Sequence, residues 1–361
     1  MNDQREADDR RGGNSQGRSG SQGENVHQSG SGSQGGNTSR EVGRRHGIES
    51  HREAMFWDAA ENNIVRCGLC PHRCRIPPGA AGYCRVRENR EGELIAAGYG
   101  QVSSVALDPI EKKPLYMFHP GKNILSIGGF GCNFRCPFCQ NFEISMKFDA
   151  LRQNARLMRP HDIAELAVRT VQDGNIGVAY TYNEPLIGYE FVYDCAKLVR
   201  EAGLCNVLVT NGYINEEPLE MLLPMIDAMN IDLKGFTGGF YNEVSRPNMA
   251  KPRTHNIGTR TSEADRRTLE EVKRTIIAAQ ALCHVEVTTL VIPGSDSQGN
   301  ENDIEELAKW LASIDSSIPL HLTRFFPRFQ MTDRAPTPRE TIIRLRETAK
   351  KYLTNVFAGN M

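Results

Sequence analysis

The chain has 361 residues, with 43 Lys and Arg against 44 Asp and Glu, a formal net charge of −1, and 39% hydrophobic residues. So even a balance excludes bulk electrostatic attraction to nucleic acid, and no run approaches the ~18 apolar residues of a membrane span. Ten cysteines, seven of them crowded into two short stretches, argue for metal and a reducing compartment rather than a disulfide framework, so a cytoplasmic location is expected.

In chain order, residues 1–46 hold only four apolar side chains, Met1, Ala7, Val26 and Val42, among Gly, Ser, Gln and Arg. Such a segment cannot bury enough surface to offset its ordering entropy, and a disordered tail is expected. It lacks the apolar stretch of a secretory signal, and Asp3, Glu6, Asp8 and Asp9 argue against a transit peptide. Residues 47–120 read as a small cysteine-rich module with a lead-in. Cys67, Cys70, Cys74 and Cys84 follow C-x2-C-x3-C-x9-C on a loop rich in Gly and Pro. Four soft ligands complete a shell for zinc or for an iron–sulfur cluster, and spacing does not separate the two. His72 is a possible replacement for one thiolate at a zinc ion.

Residues 121–361 alternate short β-rich runs with helical periodicity. The runs are 123–128, 177–182, 206–210, 228–233, 285–292 and 319–325, several without polar alternation, as in strands covered on both faces. Apolar residues at three-and-four spacing predict helices around Ile163 and Ala167, Val192 and Val199, Leu219 and Leu223, Leu269 and Ile276, and Ile304 and Leu311. A last helix, with Ile342, Leu345 and Ala349, precedes a short final run at 355–358. Successive βα units predict an α/β fold with a parallel sheet, too short to close as an eight-stranded barrel. A partial (β/α)6-type barrel is therefore expected, with a doubly wound open sheet as the alternative. The polar stretch 246–266 reads as a loop insertion.

The first of these runs leads into Gly131-Cys132-Asn-Phe-Arg-Cys136-Pro-Phe138-Cys139, a C-x3-C-x2-C loop with no fourth cysteine close behind. Iron–sulfur clusters normally take four cysteines and structural zinc a closed shell, so three thiolates on one loop point to a cubane with one iron open. In βα folds the active site forms at the carboxyl ends of the strands. Those ends carry Asn183 and Glu184, Asn211, Asp232 and Lys234, and His321 or Arg324. Asp232 and Lys234 alternate and so share a face, where a surface ion pair competes with a partnered role at the barrel mouth. A helix N-terminal acid is the competing reading for Glu184, and an ordinary turn residue that for Asn211. His321 and Arg324, three apart, fall on opposite faces, so one of them is expected at the site.

The Cys132–Cys139 loop resembles that of radical S-adenosylmethionine (SAM) enzymes. The resemblance extends through Cys67–Cys74, Gly82–Arg87, Asp108–Tyr116, Gln140-Asn141, Val287–Gly294 and Gly359-Asn360. Together these are similar to the radical SAM enzyme of the AmmeMemoRadiSam system, a relative of pyruvate formate-lyase activating enzymes. The resemblance implies a 4Fe-4S cluster on Cys132, Cys136 and Cys139, whose open iron chelates SAM. An electron from the cluster would cleave SAM to methionine and a 5′-deoxyadenosyl radical, which abstracts hydrogen from an unidentified substrate. It further implies cofactor-binding roles for Phe138 beside the adenine, for Asn183 and Glu184 in place of a Gly-Gly-Glu-like motif, and for Asn211, Asp232, Lys234 and His321. The implied partners are SAM, an electron donor, and Memo-like and AMMECR-like proteins. Two alternatives stand beside this reading. One is a glycyl-radical activase, although Val209 occupies a position where such activases carry Asp. The other is a non-catalytic iron–sulfur or zinc scaffold.

Overall fold

The computed structural model describes residues 51–237, 239–241, 263–294 and 301–361; the expected tail at 1–46 lies outside the described residues. Three short strands, β1 (Trp57–Ala59), β2 (Val65–Cys67) and β3 (Arg75–Ile76), form a small antiparallel sheet. Next come a hairpin of β4 (Arg87–Arg90) and β5 (Glu93–Ala96), and β6 (Gln101–Val102). The large sheet contains β7 (Ser104–Pro109) and β8 (Asn123–Gly128). After β9 (Arg156–Leu157), which pairs with β6, it continues with β10 (Asn175–Tyr180), β11 (Cys205–Thr210) and β12 (Ala228–Asp232). It ends with β13 (His284–Val291), β14 (Leu320–Arg324) and β15 (Val356–Gly359).

The spatial order is β15-β14-β13-β12-β11-β10-β8-β7, parallel throughout except for β7, which runs antiparallel to β8. Both ends of the sheet stay unpaired among the described residues, so the barrel is open, as expected. The sheet has seven parallel strands rather than six, because the short final run pairs with β14. Its antiparallel edge comes from the span read as the cysteine-rich lead-in, and Gly47–Met361 is one compact unit. Close pairing restricts sequence at Gly177, where a Cβ would lie 1.9 Å from the Cys205 carbonyl oxygen on β11.

Two short helices that were not expected, α1 (Phe142–Ser145) and α2 (Asp149–Gln153), come first; the expected helices then form, with α3 (Pro160–Arg169) and α4 (Tyr189–Glu201) the first full crossovers. They are followed by α5 (Glu216–Leu222), α6 (Glu263–Gln280), α7 (Glu301–Ile314) and α8 (Arg339–Ala349). Because α6 starts at Glu263, the last four residues of the supposed 246–266 insertion are helical; the rest lies outside the described residues.

Between β7 and β8 the chain dips under the sheet. Ile110 and Leu115, both fully buried, pack on Ile124, Ala179, Val207 and Ala228. At about 2 kcal/mol for each buried aliphatic side chain, this pair alone anchors the segment firmly. Polar contacts fix its path: Asn230 Nδ2 donates to the Pro114 carbonyl at 2.9 Å, and the Tyr116 and Met117 amides donate to Glu286 at 3.0 and 2.7 Å. The floor of the barrel is thereby filled, leaving the carboxyl ends of the strands as the mouth.

Candidate active site at the strand ends

The cysteine loop leaves β8 through Gly131, whose φ of 84° suits glycine, and a Cβ there would also meet the Cys84 carbonyl at 2.6 Å. Asn183 pins this turn. Its Oδ1 accepts from the Gly129 amide at 2.9 Å, and its Nδ2 donates to the Phe130 and Gly131 carbonyls at 3.1 Å each. The side chain of Asn183 is thus spent on positioning the loop. Before it, Tyr182 adopts a left-handed φ of 72°, a strain of about 1–3 kcal/mol. Asn141 Nδ2, bonded to the Tyr182 carbonyl at 2.8 Å, and Asp108, which accepts from the Tyr182 hydroxyl at 2.8 Å, hold it there.

Cys132, Cys136 and Cys139 are free thiols. The Phe134 amide donates to Cys132 Sγ at 3.3 Å, and Asn211 Nδ2 stands 3.9 Å from the same sulfur. Burial pushes all three thiols up, Cys136 to about 12 against the opposing pull of Lys234. Lys234 Nζ lies 2.7 Å from Asp232 Oδ2. Burial disfavours its charge, but the Asp232 carboxylate and Cys136 outweigh that and hold it well above the usual lysine range. Glu184, 3% exposed, accepts from Thr210 Oγ1 at 2.7 Å, the Asn211 amide at 2.8 Å and the Leu186 amide at 3.0 Å. Its burial outweighs those donors and raises its pKa to about 7. Asn211 also donates to Asn133 Oδ1 at 2.8 Å, tying β11 to the loop. Phe138, 6% exposed, packs in the main core together with Phe134 and Cys136.

Glu184, Asn211, Asp232 and Lys234 therefore gather at the loop, whereas His321 engages a different group. Its Nε2 lies 2.6 Å from Glu286 Oε2, with the Tyr116 and Phe357 rings at 4.7 and 5.2 Å. Arg324 donates to the Thr337 carbonyl at 2.8 Å. Glu286 went unnoticed in the sequence. Burial alone would raise its pKa, but hydrogen bonds from His284, His321 and the Met117 and Tyr116 amides bring it down to about 2. The available signal was a lone carboxylate in an apolar strand, alternating with His284 and Thr288.

The upstream cysteines are also free thiols. Cys67 donates its amide to the Cys74 carbonyl at 2.9 Å, and the Tyr83 amide donates to Cys74 Sγ at 3.4 Å. The charges of Cys67, Cys84 and Cys74 all bear on Cys70. His72, considered as a replacement ligand, has its Nε2 2.7 Å from the Asn133 carbonyl and its ring against Tyr83 and Tyr213. It links the two cysteine loops instead. Among the described residues only His161, Asp162 and Glu165 bring three ligand atoms within 4.8 Å of one another, on the exposed side of α3 where Asp162 already pairs with Arg159. Neither cysteine group does so. No described helix is long and apolar enough to cross a membrane.

Residues 126–311 match the family model of the Radical SAM superfamily. An uncharacterized protein of Methanocaldococcus jannaschii is 41% identical over 313 residues, covering 86% of this chain and 85% of the relative. A candidate glycyl-radical enzyme activating enzyme of the same organism is 24% identical over 249 residues, 66% of this chain and 89% of its own. Among solved structures, a domain of a pyruvate-formate lyase-activating enzyme from Bacteroides vulgatus aligns at 18% identity and a TM-score of 0.39, covering 51% of this chain and 99% of that one. With three free thiols on the loop after the first parallel strand and a family match across half of the sequence, the chain belongs to the Radical SAM superfamily and is an enzyme of that class.

Proposed function

We propose that this enzyme cleaves SAM reductively at a 4Fe-4S cluster held by Cys132, Cys136 and Cys139, then abstracts hydrogen from a substrate. In this reading it acts in the cytoplasm as the radical SAM enzyme of the AmmeMemoRadiSam system, with Memo-like and AMMECR-like partners and a low-potential electron donor. The carrying observation is a single loop that offers three thiols, Cys136 buried and Cys132 and Cys139 half-buried, beside Glu184, Asn211 and Lys234. An all-sulfur donor set suits an iron–sulfur cluster, and sulfurs not gathered within 4.8 Å leave room for separate irons. When bound, the cluster supplies the electron that breaks the S–C5′ bond of SAM.

The chain's residues supply the setting. Lys234 offsets thiolate charge, and the amides of Phe134 and Asn211 face Cys132 Sγ, where such donors tune cluster potential. Glu184, its carboxyl pKa raised to about 7 by burial, would offer a carboxylate to the amino group of bound SAM, and Phe138 would stand on the adenine side, as the family resemblance implies. Asn183 fixes the loop backbone, while the floor segment and the buried Glu286–His321 pair keep water out from below.

The test is 5′-deoxyadenosine release by reduced, anaerobically reconstituted protein, with and without the two partners. Partner-stimulated release is expected. Unstimulated release would remove the partners from the reading, and no release from a fully loaded cluster would overturn it. Likeness to a candidate activating enzyme favours, as second reading, installation of a glycyl radical on a partner. A persistent glycyl radical signal in a mixture with that partner would distinguish it.

A further inference from the structure

We infer that Cys67, Cys70, Cys74 and Cys84 hold a second iron–sulfur cluster rather than zinc, and that it feeds electrons to the SAM cluster; the second half of this rests on the function proposed above. A zinc ion at ~2.3 Å from each sulfur would draw four thiolates to about 3.8 Å from one another. No three of these four sulfurs lie within 4.8 Å of one another. The Cys132 group shows the same wide spacing, and in the function proposed above each of its thiolates would serve its own iron. The four thiols still belong to one fold of the chain: the Cys67 amide donates to the Cys74 carbonyl at 2.9 Å, the Arg73 amide to the Cys70 carbonyl at 3.0 Å, and the Tyr83 amide, one residue before Cys84, to Cys74 Sγ at 3.4 Å. With His72 Nε2 committed to Asn133, the ligand set is all sulfur.

The surroundings are arranged for a buried anionic centre. Arg87, 1% exposed and three residues after Cys84, pairs with Glu190 at 2.9 Å, and Arg135 reaches the carbonyl of Tyr83, the residue before Cys84. A backbone N–H points at one sulfur in each group, Tyr83 to Cys74 and Phe134 to Cys132. The two loops also touch along three lines. His72 meets the carbonyl of Asn133, the residue after Cys132. Arg135, from the SAM loop, donates to the Tyr83 carbonyl and lies 4.1 Å over its ring, one residue before Cys84. Gly131 fits against the Cys84 carbonyl. A zinc that only stapled the module would need no such contact with the redox loop.

The electron count is simple. A reduced ferredoxin- or flavodoxin-type protein gives up one electron to the upstream cluster and leaves oxidised. That electron moves on to the SAM loop, where each one spent breaks one S–C5′ bond and yields one methionine and one 5′-deoxyadenosyl radical.

Two measurements on the full chain test this. Anaerobically reconstituted wild type is expected to show two paramagnetic signals on reduction, only one of which changes when SAM is added. The Cys132→Ala/Cys136→Ala/Cys139→Ala variant is expected to keep iron, sulfide and the SAM-silent signal while losing all cleavage. One signal with a stoichiometric zinc would overturn the metal assignment. Cleavage surviving in the triple variant would instead overturn the function proposed for the SAM loop. The relay is read by reducing wild type fully, removing excess reductant and adding SAM. About two equivalents of 5′-deoxyadenosine per chain are expected if both clusters deliver an electron. One equivalent, with both clusters present, would overturn the relay.

Discussion

The two cysteine loops differ in how they are completed. The upstream loop brings four thiols of its own, which in the proposal above would close a ligand shell without help. The downstream loop brings three and is surrounded by groups from successive strand ends, Glu184, Asn211, Asp232 and Lys234. A closed shell needs only its own loop to be shaped correctly. An open one needs the whole sheet to aim side chains at it, and here a single amide, that of Asn183, fixes the carbonyls before the first thiol. On the proposals made above, the contrast would separate a site that stores or relays charge from one that binds a substrate.

The largest expected effect breaks the open site. Cys136→Ala should reduce 5′-deoxyadenosine formation below detection while circular dichroism stays native, because the thiol lies at the mouth of an intact sheet; retained cleavage would undo the cluster assignment. Next, Cys70→Ala should remove the upstream metal and lower the melting temperature, while the SAM-responsive signal survives. If total metal were unchanged, the four-ligand reading would fail. A smaller loss is expected from Glu184→Gln, which keeps the shape but removes the charge: SAM affinity should fall on the order of tenfold, as for one charged hydrogen bond, by equilibrium dialysis. Affinity equal to wild type would move the amino-group contact elsewhere.

The smallest effect is one of pH and concerns the barrel floor. The Glu286 pKa is lowered from 4.5 to about 2 in the folded chain, so its stabilising contribution is complete above the unfolded value and is lost as pH falls through the folded one. The stability gap between wild type and Glu286→Gln should therefore narrow in acid denaturation as pH drops below 4.5 toward 2. A gap independent of pH would mean that the carboxylate is not ionised in the fold.

How much of this was legible in the sequence depended on periodicity and on distance along the chain. The parallel strands stood out because runs such as Asn206–Thr210 are apolar on both faces, and the helices because their stripes are regular. Strand β7 did not stand out: it is followed by a floor segment that has no period, and its place is set by pairing with β8. Among site residues, Cys132, Cys136 and Cys139 were local in sequence and readable. Asn183 was seen at the right strand end, but its bonds to the carbonyls of 130 and 131 depend on a turn that only the fold supplies. Glu286 meets the Tyr116 and Met117 amides across a long sequence separation, and His72 meets Asn133 in the same way. Such pairings leave no spacing to detect.

The clip between Glu286 and the floor segment also bears on radical economy. In the proposed function, a primary carbon radical made above that floor would take hydrogen from whatever donor reaches it first, and the packed floor would leave the strand-end mouth as the route of approach. Loosening the clip would open a second route from below without touching the cysteines. Its signature would be wasteful turnover, with SAM consumed faster than substrate is changed.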